Sequence, residues 1–281
     1  MVSPHVASKS VSIPRAFTGV FTSFWRNRRL ILQLVRREFE GRFRGSSLGL
    51  LWSLLQPLAL LVVYTFVFSQ VFQARWSVTM DHPLSFALVL FAGLIAFNLF
   101  AENFNAAPRI VLQNVAYIKK VVFPLEVLPW VSLLTALITA AISTMLLLFF
   151  YIAVFGLPPL TSLFVPLVVI PLCLGTLGAS WFLSSIGVFL RDIQHGTAIA
   201  TTILLFLSPI FYPVSAVPES FRRFIYLNPL TEIIEMVRGA IFFNQVPPLF
   251  AFSVSLVVSW SFAAAGYWWF MKVRKGFADV V

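Results

Sequence analysis

The chain has 281 residues, of which 59% are hydrophobic and only 11% are charged, and its mean hydropathy is +0.92. Soluble domains carry about a quarter charged residues, so this composition leaves too little polar surface for a water-soluble globule and indicates an integral membrane protein. The net charge is +10. Because the basic residues gather at the edges of apolar runs, they favour contact with anionic lipid headgroups over binding of nucleic acid.

The first patterned segment, residues 28–44, is typical of an amphipathic helix that lies in the inner membrane interface. Its apolar arc contains Ile31, Leu32, Val35, Phe39 and Phe43. Most of the polar residues lie on the opposite side, among them Arg29, Arg36, Arg37 and Arg44. Three charged residues break the pattern on the apolar side: Arg28, Glu38 and Arg42. The helix is either a positively charged membrane anchor or one that also contacts a protein partner. Residues 1–27 are expected to form a separate N-terminal segment in the cytoplasm.

Six apolar runs are predicted to cross the bilayer, for which about 20 residues are needed. They are residues 49–72, 84–101, 127–155, 162–190, 196–211 and 249–271. With an even number of spans, both termini lie on the same side. Most of the 20 Lys and Arg residues precede the first span, separate the second from the third, or follow the last. The positive-inside rule therefore places both termini, including the tail 272–281, in the cytoplasm.

The connection between the second and third spans, residues 102–126, is long and polar for a simple loop. It contains Asn105, Pro108, Arg109 and Gln113. A short helix is predicted over residues 106–117, ending at Tyr117 and projecting from the membrane. The segment is either a solvated loop or a docking element for a soluble subunit.

Residues 208–245 are broken by prolines that exclude one continuous helix: Pro209, Pro213, Pro218 and Pro229. Two short helices are predicted instead, over residues 221–227 and 230–243, with Asn228 as the N-cap and Pro229 at the first helical position. The first carries Arg222 and Arg223. The second carries a polar stripe at every third residue: Glu232, Glu235 and Arg238. Such a stripe at an outer mouth favours a re-entrant element that lines a wet cavity, the alternative being an interfacial hairpin.

Catalytic and metal-binding motifs are missing from the sequence. No Gly-Lys pair occurs, so the chain has no Walker A motif and is not expected to hydrolyse ATP. HExxH and CxxC motifs are also missing, and no cofactor or metal is expected in this chain. The spans carry no charge at their centres, which argues against a proton-coupled carrier.

Aromatic residues are abundant, with 31 Phe, 8 Trp and 6 Tyr. Most are expected to face lipid or to pack the core. One subset lies beside the Pro-rich segment and is predicted to line a neutral path: Tyr64, Phe68, Phe206, Phe211 and Tyr212. Flat rings with a polar tip suit ligands with apolar faces and hydroxylated edges, as sugars have.

Several short motifs, in order and spacing, give the chain a recognisable family likeness. They are RRE at 36–38, RFRGSSLGLLW at 42–52, QP at 56–57, KKVVFPLE at 119–126, RDI at 191–193, SPIFY at 208–212, NP at 228–229 and FAD at 277–279. Together they resemble the ABC-2 type polysaccharide export permeases, the membrane subunits for O-antigen, teichoic acid and some capsules. Gly45 and Gly49 are expected to permit the sharp exit from the interface helix into the first span.

The resemblance implies an all-α membrane protein with the type V exporter fold, in a bacterial inner membrane. It implies a homodimer around a central conduit, with two copies of a separate ATPase subunit that binds ATP and Mg. Residues 106–117 would be the main coupling helix, and Arg191 and Asp192 a second contact. Residues 208–245 would form the periplasmic gate. The cargo would be a lipid-linked polysaccharide.

Three other functions remain open at this stage. An ABC-2 permease for drugs or lipids would share the topology. A membrane-embedded glycan enzyme would have to use Glu219, Glu232 and Glu235 as its acids. A structural scaffold would lack an ATPase partner altogether.

Overall fold

The apolar runs form helices in the computed structural model, which describes residues 13–42, 44–71, 84–118 and 123–280. Within these ranges all regular structure is helical. In chain order the helices are α1 (Ile13–Arg42), α2 (Trp52–Thr65), α3 (Ser85–Ile110), α4 (Val115–Ile118), α5 (Leu128–Phe155), α6 (Val165–Phe189), α7 (Ile193–Leu207), α8 (Glu219–Leu227), α9 (Pro229–Phe242), α10 (Leu249–Val273) and α11 (Phe277–Val280). A π-helical segment, Phe66–Val71, continues α2.

Four of the six predicted spans are confirmed as helices long and apolar enough to cross a membrane, namely those containing α3, α5, α6 and α10. The first and fifth predicted spans are shorter apolar helices, Trp52–Phe68 and Ile193–Leu207. The 15 residues of α7 measure about 22 Å at 1.5 Å per residue, less than the roughly 30 Å of a hydrocarbon core. α7 ends early because Ser208, which precedes a proline, has an extended backbone.

Helix α1 is longer than the predicted interface helix, because it begins at Ile13 instead of at residue 28. At 100° per residue its buried residues fall within one arc of about 120°: Ala16, Val20, Ser23, Ile31, Leu34 and Val35. This face packs against α5 and α10. The separate segment 1–27 is therefore a wrong prediction from Ile13 onward, and residues 1–12 lie outside the described part of the chain. Leu32, expected on the apolar face, is exposed.

The chain leaves α1 through a tight turn before α2. Gly45 has a φ of 87° and Gly49 a φ of 50°, both in the left-handed region that glycine tolerates at little cost. This confirms the expected role of the two glycines.

Helices α6 and α10 make the most extensive helix–helix contact of the described chain. Their backbones approach closely at two glycines, since a Cβ built on Gly266 would lie 2.9 Å from the carbonyl carbon of Gly178. Small residues that allow such an approach are common where helices pack within membranes. Large apolar side chains, including Met145 and Phe149 of α5, are exposed on the outside of the bundle.

The segment predicted as a projecting coupling helix is divided in the structure. Residues 106–110 are the last turn of α3, and only Leu112–Asn114 and α4 follow as short helical turns. Pro108 is accommodated in α3 because Gly187 of α6 has no side chain there, and a Cβ at Gly187 would lie 2.7 Å from the Cα of Pro108. The predicted start at residue 106 is therefore wrong.

The two helices predicted in the Pro-rich segment are confirmed as α8 and α9. Asn228 caps α9 as expected, its side-chain oxygen accepting a hydrogen bond from the backbone N–H of Leu230 at 3.1 Å, and Pro229 is the first helical residue. Helix α9 packs against both α3 and α6, so it lies within the bundle. The predicted tail is also packed, because Phe277 is buried against Phe270, with ring centroids 5.5 Å apart.

Candidate functional site

The five aromatic residues predicted to line a path meet in the structure, and we call them the channel aromatics. The rings of Phe68 and Phe211 stack at 6.0 Å between centroids, and Phe211 lies 5.9 Å from Phe206. Tyr64 lies 6.5 Å from Phe68, and the Tyr212 hydroxyl donates to the carbonyl of Phe206 at 2.9 Å. Phe206 is 64% exposed. Residues from α2, α7 and the loop after α7 thus form one continuous aromatic surface.

The loop after α7, residues 208–212, is held by the N-cap of α9. The side-chain N–H of Asn228 donates to the Ser208 hydroxyl at 2.8 Å, while its oxygen caps α9. Thr231 adds a hydrogen bond from its hydroxyl to the carbonyl of Ile225 at 2.7 Å. Asn228, predicted as a cap within the gate segment, therefore also positions the loop that carries Phe211.

The polar stripe of α9 predicted that Arg238 would line a water-filled cavity. In the structure its side chain is buried instead, with only 1% exposed. Its guanidinium donates to the carbonyls of Val89 at 3.0 Å, Ile210 at 2.8 Å and Pro209. The carboxylate of Glu235 lies 3.5 Å away. Buried charges are tolerated where partners surround them in this way. Arg238 therefore fastens α9 to α3 and to the loop of the channel aromatics, an arrangement we call the Arg238 clamp.

The remaining charged residues predicted for the gate are less enclosed. Arg222 donates to the carbonyls of Val217 at 2.8 Å and Ser215 at 2.9 Å, which closes the turn before α8. Arg223 is exposed and Glu232 half-buried. The structure thus separates one buried cation from the more accessible charges of the same segment.

Helix α1 is joined to the predicted coupling segment through Arg37. Its guanidinium donates to the hydroxyl of Tyr117 at 2.6 Å and lies 5.7 Å from the centre of that ring. Tyr117 in turn stacks on Phe123, with centroids 4.1 Å apart and planes within 8°. This contact links two segments that are 80 positions apart in the sequence.

Arg42 joins the end of α1 to α3. It forms an ion pair with Glu102, and Glu38 lies 3.6 Å from it. Burial raises the pKa of the Glu38 carboxyl above its ordinary value, against the opposing effect of Arg42. Arg36 pairs with Glu40 at 2.7 Å on the exposed side of α1, and Arg44 is exposed in the turn after it.

Apart from Tyr117, which contacts Arg37, the residues predicted to couple the chain to an ATPase fall into two groups. Pro108 is buried against α6, and the Asn105 side-chain oxygen accepts a hydrogen bond from Thr201 of α7 at 2.9 Å. The others are exposed at the same ends of α3 and α6: Arg109, Gln113, Arg191 and Asp192. The exposed group is accessible to a partner, whereas the buried group connects helices of this chain.

Sequence reasoning missed a set of polar residues that lie inside the apolar spans or, for Glu102, directly after one. Ser53 and Gln56 are three positions apart, Asn98 and Glu102 four, and Thr139 and Ser143 four, so each pair shares one helix face. All of them line one cavity in the structure. Their helical spacing within spans was the signal available in the sequence.

A second missed feature ties the tail to the start of α5. The buried Glu126 carboxylate pairs with Arg274 at 2.8 Å, and its backbone carbonyl accepts a hydrogen bond from the Trp181 indole at 3.1 Å. Glu126 was assigned to a polar connection, where nothing indicated a buried partner near the C-terminus.

Comparison with known proteins identifies the family. The family described as ABC-2 type transporter matches residues 29–242. The O-antigen export system permease protein RfbA of Myxococcus xanthus is 28% identical over 260 residues, covering 90% of this chain and 96% of the relative. A protein of the same name from Klebsiella pneumoniae is 25% identical over 254 residues, with 90% and 95% covered. The polysialic acid transport protein KpsM of Escherichia coli is 27% identical over 213 residues, with 74% and 79% covered. Since the family match spans most of the chain, the protein belongs to the ABC-2 type transporter family and is a multi-pass membrane permease, the transport component and not the ATPase.

Proposed function

We propose that this chain is the membrane subunit of an ATP-driven exporter that moves a lipid-linked polysaccharide, of the O-antigen kind, from the cytoplasm to the periplasm. The family supports a permease, and the relatives named for O-antigen and polysialic acid support a glycan cargo. The observation that carries the proposal is the continuous surface of channel aromatics, which is neutral, partly exposed and tipped by tyrosine hydroxyls.

Neutral rings suit a long glycan that must move past them. The apolar faces of sugar rings pack on aromatic faces, while their hydroxyls hydrogen-bond to polar edges such as the Tyr212 hydroxyl. With no charge in the cluster itself, no single sugar is held strongly enough to stop the chain. The surface therefore supports sliding contact in place of tight binding.

Energy would come from a separate subunit. Two ATPase copies, binding ATP and Mg, would dock on a homodimer of this chain at the exposed Arg109, Gln113, Arg191 and Asp192. Movement at these residues would reach α1 through Arg37 and Tyr117, and α7 through Asn105 and Thr201. In this arrangement both termini are cytoplasmic and the protein resides in a bacterial inner membrane, with the Arg-rich α1 at the entrance.

The test is reconstitution of the chain with its ATPase in liposomes, with glycan transport and glycan-stimulated ATP hydrolysis as readouts. Phe211→Ala and Tyr212→Ala should reduce transport. The control Phe250→Ala changes a phenylalanine that is 83% exposed at the start of α10 and should leave transport unchanged. Full transport in both test variants would refute the aromatic path. Hydrolysis stimulated by a drug or a simple lipid, but not by the glycan, would instead support the other permease function.

A further inference from the structure

A polar cavity of about 540 Å³ lies between α2, α3 and α5, next to the ion pair of Arg42 and Glu102. It is distinct from the channel aromatics, none of which lines it. Its polar lining residues come from three spans and the end of α1: Arg42, Ser53, Gln56, Asn98, Glu102, Asn105, Thr139 and Ser143. Three helices that are otherwise largely apolar thus each contribute polar side chains to this cavity.

These polar groups are poorly suited to lipid. Gln56 and Asn98 are exposed, and among the described residues neither side chain forms a hydrogen bond. An amide facing hydrocarbon without a partner is costly, so such residues within spans generally face a wet cavity or a ligand. The cavity gives both amides a common polar environment.

The charges and donors of the cavity indicate what it binds. Arg42 is already paired with Glu102, so the lining offers little uncompensated positive charge for a phosphate. Amide side chains carry both donors and acceptors, and hydroxyls add more of each, which matches the vicinal hydroxyls of a neutral sugar. A volume of about 540 Å³ falls within the range of about 300–1,000 Å³ typical of small-molecule sites.

We propose that this cavity, the saccharide subsite, binds the hydroxyl groups of one or a few neutral sugar rings of the glycan on their way to the channel aromatics. The proposal rests on the proposed function for the identity of the cargo. It adds a separate binding site that is governed by hydrogen bonds, where the channel aromatics act through ring faces. The other candidate occupant of Gln56 and Asn98 is a second copy of this chain, and the tests below separate the two.

The first test measures water access by cysteine labelling, in a Cys173→Ala background that removes the only native cysteine. Thr139 lines the saccharide subsite, whereas Thr144 lines an apolar groove on another face of the same helix. Both hydroxyls donate to their own helix, at 3.4 Å and 2.8 Å, so the two positions are matched. Thr139→Cys should react with a charged, water-soluble methanethiosulfonate reagent at least roughly tenfold faster than Thr144→Cys, and saturating glycan should slow it. Equal rates, or no protection by glycan, would overturn the proposal.

The second test measures function in the reconstituted complex. Gln56→Leu with Asn98→Leu should raise the glycan concentration that half-stimulates ATP hydrolysis roughly thirtyfold, since two hydrogen bonds of about 1 kcal/mol each are lost and each 1.4 kcal/mol is a factor of about ten. Thr144→Val, the control, should leave it unchanged. If the wild-type complex shows no response to glycan, the proposed function fails; if it responds and the double variant matches it, only the saccharide subsite fails. Disulfide cross-linking between two copies of an Asn98→Cys variant would assign the face to a dimer contact and also overturn the proposal.

Discussion

The Arg238 clamp makes a prediction about stability that needs no knowledge of the cargo. Arg238→Ala removes the donor to the carbonyls of Val89, Pro209 and Ile210 and leaves Glu235 without its cation. Breaking a buried charged network by deleting one partner costs about 3–5 kcal/mol. Arg238→Lys keeps the charge but lacks the planar guanidinium that reaches several carbonyls together. It should therefore lower the free energy of unfolding by about half as much as Arg238→Ala.

Gly93 provides a sharper test of the same clamp. A Cβ on Gly93 would lie 2.9 Å from the Cζ atom of Arg238, so the guanidinium would have to shift. Glycine to alanine within a helix otherwise stabilises by about 1 kcal/mol. We therefore expect Gly93→Ala to cost about 1–3 kcal/mol when Arg238 is present and to be neutral or favourable in an Arg238→Ala background. The change of sign is the prediction.

The assay is thermal unfolding of the detergent-solubilised protein. Unfolding is monitored through the fluorescence that develops when Cys173 becomes accessible and reacts with a maleimide dye. Gly196→Ala is the control, because Gly196 is also helical and a Cβ there would meet nothing within 4 Å. It should be neutral or stabilising in both backgrounds. If Gly93→Ala lowers the midpoint equally with and without Arg238, the two residues are not coupled and the geometry assigned to the clamp is wrong.

Three further predictions concern the packing of the bundle, each measured as the midpoint of thermal unfolding. Gly187→Ala should destabilise by about 2–4 kcal/mol, because its Cβ would meet the backbone of Pro108, which has no rotamer to adjust; an unchanged midpoint would contradict the close approach. Tyr117→Phe should cost about 1 kcal/mol, since the stacking stays and one hydrogen bond is lost, with Tyr117→Ala clearly worse. Arg274→Gln should lower the free energy of unfolding by about 1–3 kcal/mol, because it leaves the Glu126 carboxylate unpaired. In a Glu126→Gln background the loss should be much smaller, and an equal loss in both backgrounds would refute the ion pair.

Local signals predicted the helices well where they were strong. The charge-free runs gave α5, α6 and α10 within a few residues, and the Asn-Pro pair at residues 228–229 marked the start of α9. The start of α1 was missed because residues 13–27 show their buried face mainly through small residues such as Ala16 and Ser23, which carry little hydropathy. Their burial depends on α5 and α10, which no local pattern reveals.

The environment of Arg238 shows why the candidate site was predicted only in part. The three-residue spacing of Glu232, Glu235 and Arg238 correctly placed them on one face of α9. Periodicity does not indicate which part of the protein that face contacts. Its partners Val89 and Ile210 are 149 and 28 positions away and contribute backbone carbonyls, which leave no trace in the side-chain sequence. The aromatic cluster was predictable because its members share one property, aromaticity, that is read residue by residue.

Helix α3 contacts α1, α6, α7 and α9, and the nature of these contacts determines what can move. Its 26 residues extend about 39 Å and form backbone contact with Gly187 of α6 near one end. A backbone contact has no rotamer to yield, so α3 and α6 are expected to shift together. The contacts with α1, α7 and α9 are made by side chains that can exchange partners: Arg42 to Glu102, Thr201 to Asn105, and Arg238 to Val89. A conformational change in this chain should therefore break side-chain contacts around α3 before it separates α3 from α6.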